Sequence, residues 1–161
     1  MGFPVTYGVA NLAALVWAGA LVWGIQQAEL PFIPVPMAVP LAGLAPGLVL
    51  AAMIAVLALR RLFSDDLRSG LQPAQGSAAD IDRKVIGNTV EQAVLALLLW
   101  PIMSLSLGAA AVIALGLSFA VARMIYWIGY HTWGPLRSFG FGATFYPTVL
   151  AGVWSLAVWM M

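Results

Sequence analysis

The sequence predicts an all-α integral membrane protein, and three observations carry that reading. Of its 161 residues, 63% are hydrophobic and only 8% are charged, with a mean hydropathy of +0.98. Soluble domains carry roughly 25% charged residues, so this chain lacks the polar side chains to cover a surface facing water. Its apolar residues also fall into runs of the length needed to cross a bilayer, about 20 residues each. Finally, its charges are clustered. Arg60, Arg61, Arg68, Arg83 and Lys84 flank or occupy a single polar stretch, and no charge follows Arg137.

The same composition excludes several kinds of chemistry. A net charge of +1 argues against nucleic acid as a partner. The absence of cysteine excludes disulfides, thiolate metal sites and a cysteine nucleophile, so any thiol must come from a bound small molecule. His131 is the one histidine, which rules out multi-histidine metal constellations, and no metal is expected.

Residues 1–6 lack the basic start of a signal peptide, and Tyr7 to Gln26 read as a first span. Residues 27–40 contain Pro31, Pro34, Pro36 and Pro40, a density at which a helix is not expected to continue, so they read as an interfacial loop. A second span follows from Leu41 to Leu59, with Pro46 near its start and Arg60-Arg61 snorkelling at its end. Residues 62–83 read as a solvated polar linker containing Asp65, Asp66, Asp80 and Asp82. The third span is expected from Lys84 to Leu105 and the fourth, after a turn at Ser106-Leu107-Gly108, from Ala109 to Tyr130. The fifth runs from Leu136 to Met161, where Gly140, Gly142 and Gly152 suit close helix packing. Trp127, His131 and Trp133 read as interfacial belt residues.

Five spans put the 62–83 loop and the Arg137 turn on one side of the membrane. The opposite side has no Lys or Arg at all, so the polar loops are expected to be cytoplasmic.

Two ionisable residues remain at membrane depth. Glu91 lies two turns past Lys84 and Arg123 two turns before Tyr130, each about 10 Å from the same side. An unpaired charge at the centre of a membrane helix costs roughly 2.5–3.5 kcal/mol on insertion scales, so the two are expected to pair, within a subunit or across a subunit boundary. Asn88 shares a helix face with Glu91, and Tyr126 and Tyr130 share one with Arg123. Together they describe a pocket holding a carboxylate, a guanidinium, an amide and two phenols. A Glu–Arg pair also serves as plain glue between helices, and that reading stands beside the functional one. Arg137-Ser138 adds a cation and a hydroxyl near the N-terminal end of the last span, where an anion is already favoured.

These residues resemble a known family. Asn88-x-x-Glu91 early in one span, Arg123 to Tyr130 closing the next and Pro135-Leu-Arg137-Ser138 opening the last are similar to the MAPEG family of membrane-associated proteins in eicosanoid and glutathione metabolism. The resemblance covers residues 41–161. It implies a four-helix membrane bundle that forms a homotrimer and binds glutathione between neighbouring subunits near the cytoplasmic side. The chain thus divides into residues 1–40, an additional N-terminal transmembrane helix with its Pro-rich loop, and residues 41–161, the MAPEG-like domain. Asn88, Glu91, Arg123, Tyr126, Tyr130 and Arg61 (or Arg60) are implied to bind glutathione. Arg137 is implied to stabilise its thiolate, with Ser138 beside it. Four departures are visible: Gly87 where many members carry an arginine, Phe141 where some carry a tyrosine, a shorter connection between Tyr130 and Pro135, and the extra first span.

The expected function is a glutathione-dependent transferase or peroxidase acting on lipophilic electrophiles that arrive from the bilayer, in a bacterial inner membrane. The alternative is a non-enzymatic lipid-binding or scaffold protein of the same fold. A small transporter gated by Glu91 and Arg123 is a third reading, against which stands the lack of any internal repeat.

Overall fold

The computed structural model describes residues 3–29 and 31–161. Among them are six helices: α1 (Phe3–Gln27), α2 (Val35–Leu62), α3 (Asp65–Arg68), α4 (Ala78–Ser106), α5 (Ala109–Thr132) and α6 (Gly134–Met160). All but the short α3 are long and apolar enough to cross a bilayer. The protein is therefore an all-α integral membrane protein.

The second span starts earlier than the prolines suggest. Pro34 caps α2, and Pro36 lies in its first turn, where a missing N–H costs nothing. Pro40 and Pro46 lie inside the helix, and the 27–40 loop expected from sequence is correspondingly shorter. Proline is tolerated in membrane helices where a neighbour meets the freed backbone groups. Pro46 shows how. It has no N–H to give the carbonyl of Ala42, and Gly116 of α5 packs directly against that carbonyl; a Cβ on Gly116 would lie only 2.8 Å from the Ala42 carbonyl carbon. The glycine hydrogens face the freed oxygen, a close Cα–H···O approach that only glycine permits here.

The third span also starts before its expected first residue, Lys84. Ser77 caps α4 by accepting a hydrogen bond from Asp80 N at 3.3 Å, and Asp80 pairs with Lys84 one turn on at 2.7 Å. Asp80, Asp82 and Arg83 are thus helical, and the solvated linker ends before them. From Asp82 onward an inward stripe recurs every three or four residues: Asp82, Val85, Thr89, Gln92, Ala96, Trp100 and Met103 are all buried.

Gly108, with φ of 90°, makes the sharp turn into α5. Trp133 alone separates α5 from α6, with Pro135 in the first turn beyond it.

Helix α5 is the centre of the bundle. It packs against α2, α4 and α6, while α4 closes the ring against α2 and α6. The core between them contains Ala42, Ala96, Trp100, Met103, Val112, Leu115, Phe119 and Ala151, and Trp100 meets Phe119 edge-on at 6.1 Å. Helix α1 lies outside this four-helix bundle, chiefly along α6. Leucines such as Leu44, Leu48 and Leu98 on the outward faces of α2 and α4 are left for lipid.

Candidate functional site

Two glycines bring α5 and α6 together at the site. A Cβ on Gly140 would lie 2.5 Å from Tyr126 N, and Gly129 is pressed in the same way against the backbone of Arg137. The two helices therefore touch backbone to backbone at the level where Arg123, Tyr126, Tyr130 and Arg137 leave them.

These four side chains form a ladder in which two tyrosine rings lie between two guanidinium groups. Arg123 is fully buried, with its guanidinium carbon 4.5 Å from the Tyr126 ring centre and 5.7 Å from that of Phe119. Tyr126 meets Tyr130 edge-on at 5.1 Å, and the Arg137 guanidinium lies 4.7 Å from the Tyr130 ring. Each contact places a cation over a π face or ring edges in the preferred crossed geometry. Phe141 leans on Tyr126 at 6.5 Å and stacks on Phe145 at 5.8 Å, extending the aromatic wall along α6.

The hydrogen bonds of Arg123 differ from those expected. Nε donates to Thr144 Oγ1 at 3.0 Å, and Nη1 donates to Asn88 Oδ1 at 2.8 Å. Thr144 passes its own proton to Gly140 O at 2.8 Å, which leaves its oxygen free to accept. Glu91 does not pair with Arg123 within one chain. It is exposed on the outer face of α4 and accepts a 3.2 Å hydrogen bond from Asn88 Nδ2. The asparagine stands between cation and carboxylate because it lies a turn before Glu91, on the flank of α4 that turns toward α5. Among the described residues neither Arg123 nor Arg137 has a carboxylate partner, and Arg123 Nη2 is buried with no partner at all.

Ser138, the residue after Arg137, is rotated about 100° further around α6, toward α1. Its Oγ accepts a 3.1 Å hydrogen bond from Asn11 Nδ2 of α1. Arg61 is exposed beside Arg68 and Arg83 around an open depression at the end of α2 and makes no polar side-chain contact with the ladder.

A second polar centre was missed from sequence. Asp82 is fully buried, and it is no linker residue. Arg60 Nε donates to its Oδ2 at 2.6 Å, Trp127 Nε1 donates to its Oδ1 at 2.8 Å, and His131 Nε2 lies 2.7 Å from the same oxygen. Trp127 and His131, expected as interfacial residues, thus both bring a ring nitrogen to this carboxylate, while His131 stays exposed near the end of α5. The signal was present in the spacing: Asp82 lies on the buried stripe of α4, and extending the period of that helix one turn upstream would have found it.

An apolar groove of about 180 Å³ runs between α2 and α4, lined by Pro46, Leu50, Ala93, Leu97, Trp100 and Phe119. Phe119 both closes this groove and lies beneath the guanidinium of Arg123.

The arrangement can hold an anion. A buried guanidinium with a spare donor and a second guanidinium two rings away, neither neutralised by a carboxylate, make a positive site in surroundings of low dielectric, where such charge acts strongly. Residues 37–157 of the chain match the MAPEG family model, which is most of the sequence and all of the four-helix bundle except the ends of its first and last helices. No curated protein and no solved structure matches the chain.

Proposed function

The chain belongs to the MAPEG family, and from that premise we propose that it is a membrane glutathione-dependent transferase or peroxidase acting on lipophilic electrophiles. One observation carries the reading: Arg123 is a buried cation whose Nη2 has no partner and whose charge no carboxylate in the described chain offsets. A buried unpaired charge is costly, and an anionic ligand removes that cost. The carboxylates and thiolate of glutathione fit such a site.

Glutathione would supply the nucleophilic sulfur. A free thiol has a pKa of about 8.5 and is a weak nucleophile until a nearby cation favours its ionised form. Arg137 is always charged, and its guanidinium is held in place by the Tyr130 ring, so it is the residue assigned to that task. Arg123 and Asn88 would orient the peptide part of the ligand. The groove ending at Phe119 gives a lipophilic partner a route from the bilayer to the same cations.

Glu91 and Arg61 are exposed on the outer faces of a single chain. Their placement fits a site completed by a neighbouring subunit, and a homotrimer is the proposed assembly. The clustering of Arg60, Arg61, Arg68, Arg83, Lys84 and Arg137 at one end supports a cytoplasmic placement of that end, and the proposed location is a bacterial inner membrane.

The test is a glutathione titration of the detergent-solubilised protein at neutral pH, following thiolate absorbance in the ultraviolet beside Arg137→Ala. A saturable signal that the variant loses is the expected result. No signal from protein shown to be folded and oligomeric would overturn the enzyme reading and favour a lipid-binding or scaffold role for the same fold.

A further inference from the structure

Helix α1 lies outside the residues that match the family, yet it reaches the α6 residue next to Arg137. Asn11 is an amide in an apolar helix, and its bonds are directional. Nδ2 donates to Ser138 Oγ at 3.1 Å and to Tyr7 O at 3.0 Å, while Oδ1 accepts from the Tyr146 hydroxyl at 3.3 Å. Neighbouring contacts hold α1 in register. Ala14 is fully buried against Gly142, where a Cβ would approach it to 2.7 Å. Trp17 Nε1 donates to Ser118 Oγ at 3.0 Å, and its ring meets Phe139 edge-on at 6.4 Å.

Side-chain hydrogen bonds between membrane helices average only about 0.6 kcal/mol, so gluing α1 to α6 would be a sufficient role for an ordinary pair. The direction of this bond suggests more. Thr144 and Thr148, about two and three turns further along α6, return their hydroxyl protons to carbonyls in the preceding turn, at 2.8 and 3.2 Å. Ser138 does not. Its oxygen accepts from Asn11, and among the described residues its proton is given to nothing. An accepted hydrogen bond also polarises a hydroxyl and strengthens it as a donor. Phe141 lies one turn on from both Arg137 and Ser138, so the cation and the unspent hydroxyl border the same face of α6.

We infer that Asn11 is a positioning residue for the thiolate site, holding Ser138 so that its hydroxyl donates to the anion that Arg137 stabilises, and that α1 is thereby one wall of the site. The inference rests on the proposed glutathione reading.

The experiment measures the pH midpoint of the bound thiolate absorbance in full-length wild type, Asn11→Leu, Ser138→Ala, the double variant and Tyr146→Phe. Asn11→Leu and Ser138→Ala are each expected to raise the midpoint by about one to two units, since a hydrogen bond to a charged group is lost. The double variant should rise no further than either alone, because both remove one interaction. Tyr146→Phe, which cuts an α1–α6 bond without touching Ser138, should leave the midpoint in place. Should Asn11→Leu not assemble, Asn11→Ala, which keeps the packing of Ala14 and Trp17, carries the same expectation. A wild-type midpoint that Asn11 variants do not move, or shifts that simply add in the double variant, would overturn the positioning role. Absence of any thiolate signal in wild type would instead be the failure of the glutathione reading itself.

Discussion

Arg60 Nε lies 2.6 Å from Asp82 Oδ2, and this contact ties the end of α2 to the start of α4. The carboxylate is fully buried while the arginine side chain remains 40% exposed. Trp127 and His131 bring α5 to the same carboxylate, so three of the four bundle helices meet at one residue. Asp82→Asn keeps the size and removes the charge. It is expected to lower stability by about 2–4 kcal/mol, toward the low side of what breaking a buried pair costs because Arg60 keeps part of its hydration. Thermal unfolding in detergent measures this, and an unchanged melting temperature would show that the cluster is not a clamp.

Adjacent arginines are expected to behave differently. Arg60→Gln should lower the melting temperature nearly as much as Asp82→Asn. Arg61→Gln should leave it unchanged, since Arg61 is exposed and its side chain has no partner among the described residues, but should weaken glutathione binding. Equal stability losses in the two variants would contradict the division of labour between them.

Arg123 is a charge retained against its own cost. Arg123→Met is expected to leave stability unchanged or to raise it, as replacing buried charge by apolar side chains is often neutral or stabilising by about 1–4 kcal/mol. Glutathione affinity should fall at least tenfold, about 1.4 kcal/mol. Isothermal titration beside thermal unfolding separates the two effects. A large loss of stability with affinity intact would make Arg123 helix glue.

The close approach of α5 and α6 makes a prediction about two glycines. Gly140→Ala would drive a methyl into the Tyr126 backbone and is expected to cost about 1–3 kcal/mol while disturbing the Arg123–Thr144 bond. Gly87→Ala meets nothing within 4 Å and should be neutral or stabilising by up to about 1 kcal/mol, as alanine favours helix over glycine. The ranking of the two melting temperatures is the check, and a Gly140→Ala protein as stable as wild type would show that the helices can part at no cost.

By itself, the sequence determined that the chain crosses the membrane, roughly where it does so, and which family it resembles. Length and hydrophobicity dominate the energy of a segment in lipid, and both are local properties that can be read along the chain. Arg123, Tyr126 and Tyr130 were legible for the same reason, since a fixed helical period places them on one face of α5, and Arg137 was legible as the cation opening the last span. Helix ends were less legible, because caps and packing set them. Ser77 extends α4 upstream through Asp82, and Gly116 of another helix makes Pro46 tolerable in α2. Partners were legible least of all. Opposite charges at equal depth pointed to Glu91 and Arg123, yet Asn88 stands between them, and the buried carboxylate of the chain is Asp82. Depth along a helix follows from sequence position, but the direction a side chain faces across the bundle depends on how the helices are rotated against one another. That rotation is decided by contacts such as Gly140 on Tyr126 and Ala14 on Gly142, between residues far apart in the chain, and only the tertiary structure holds them together.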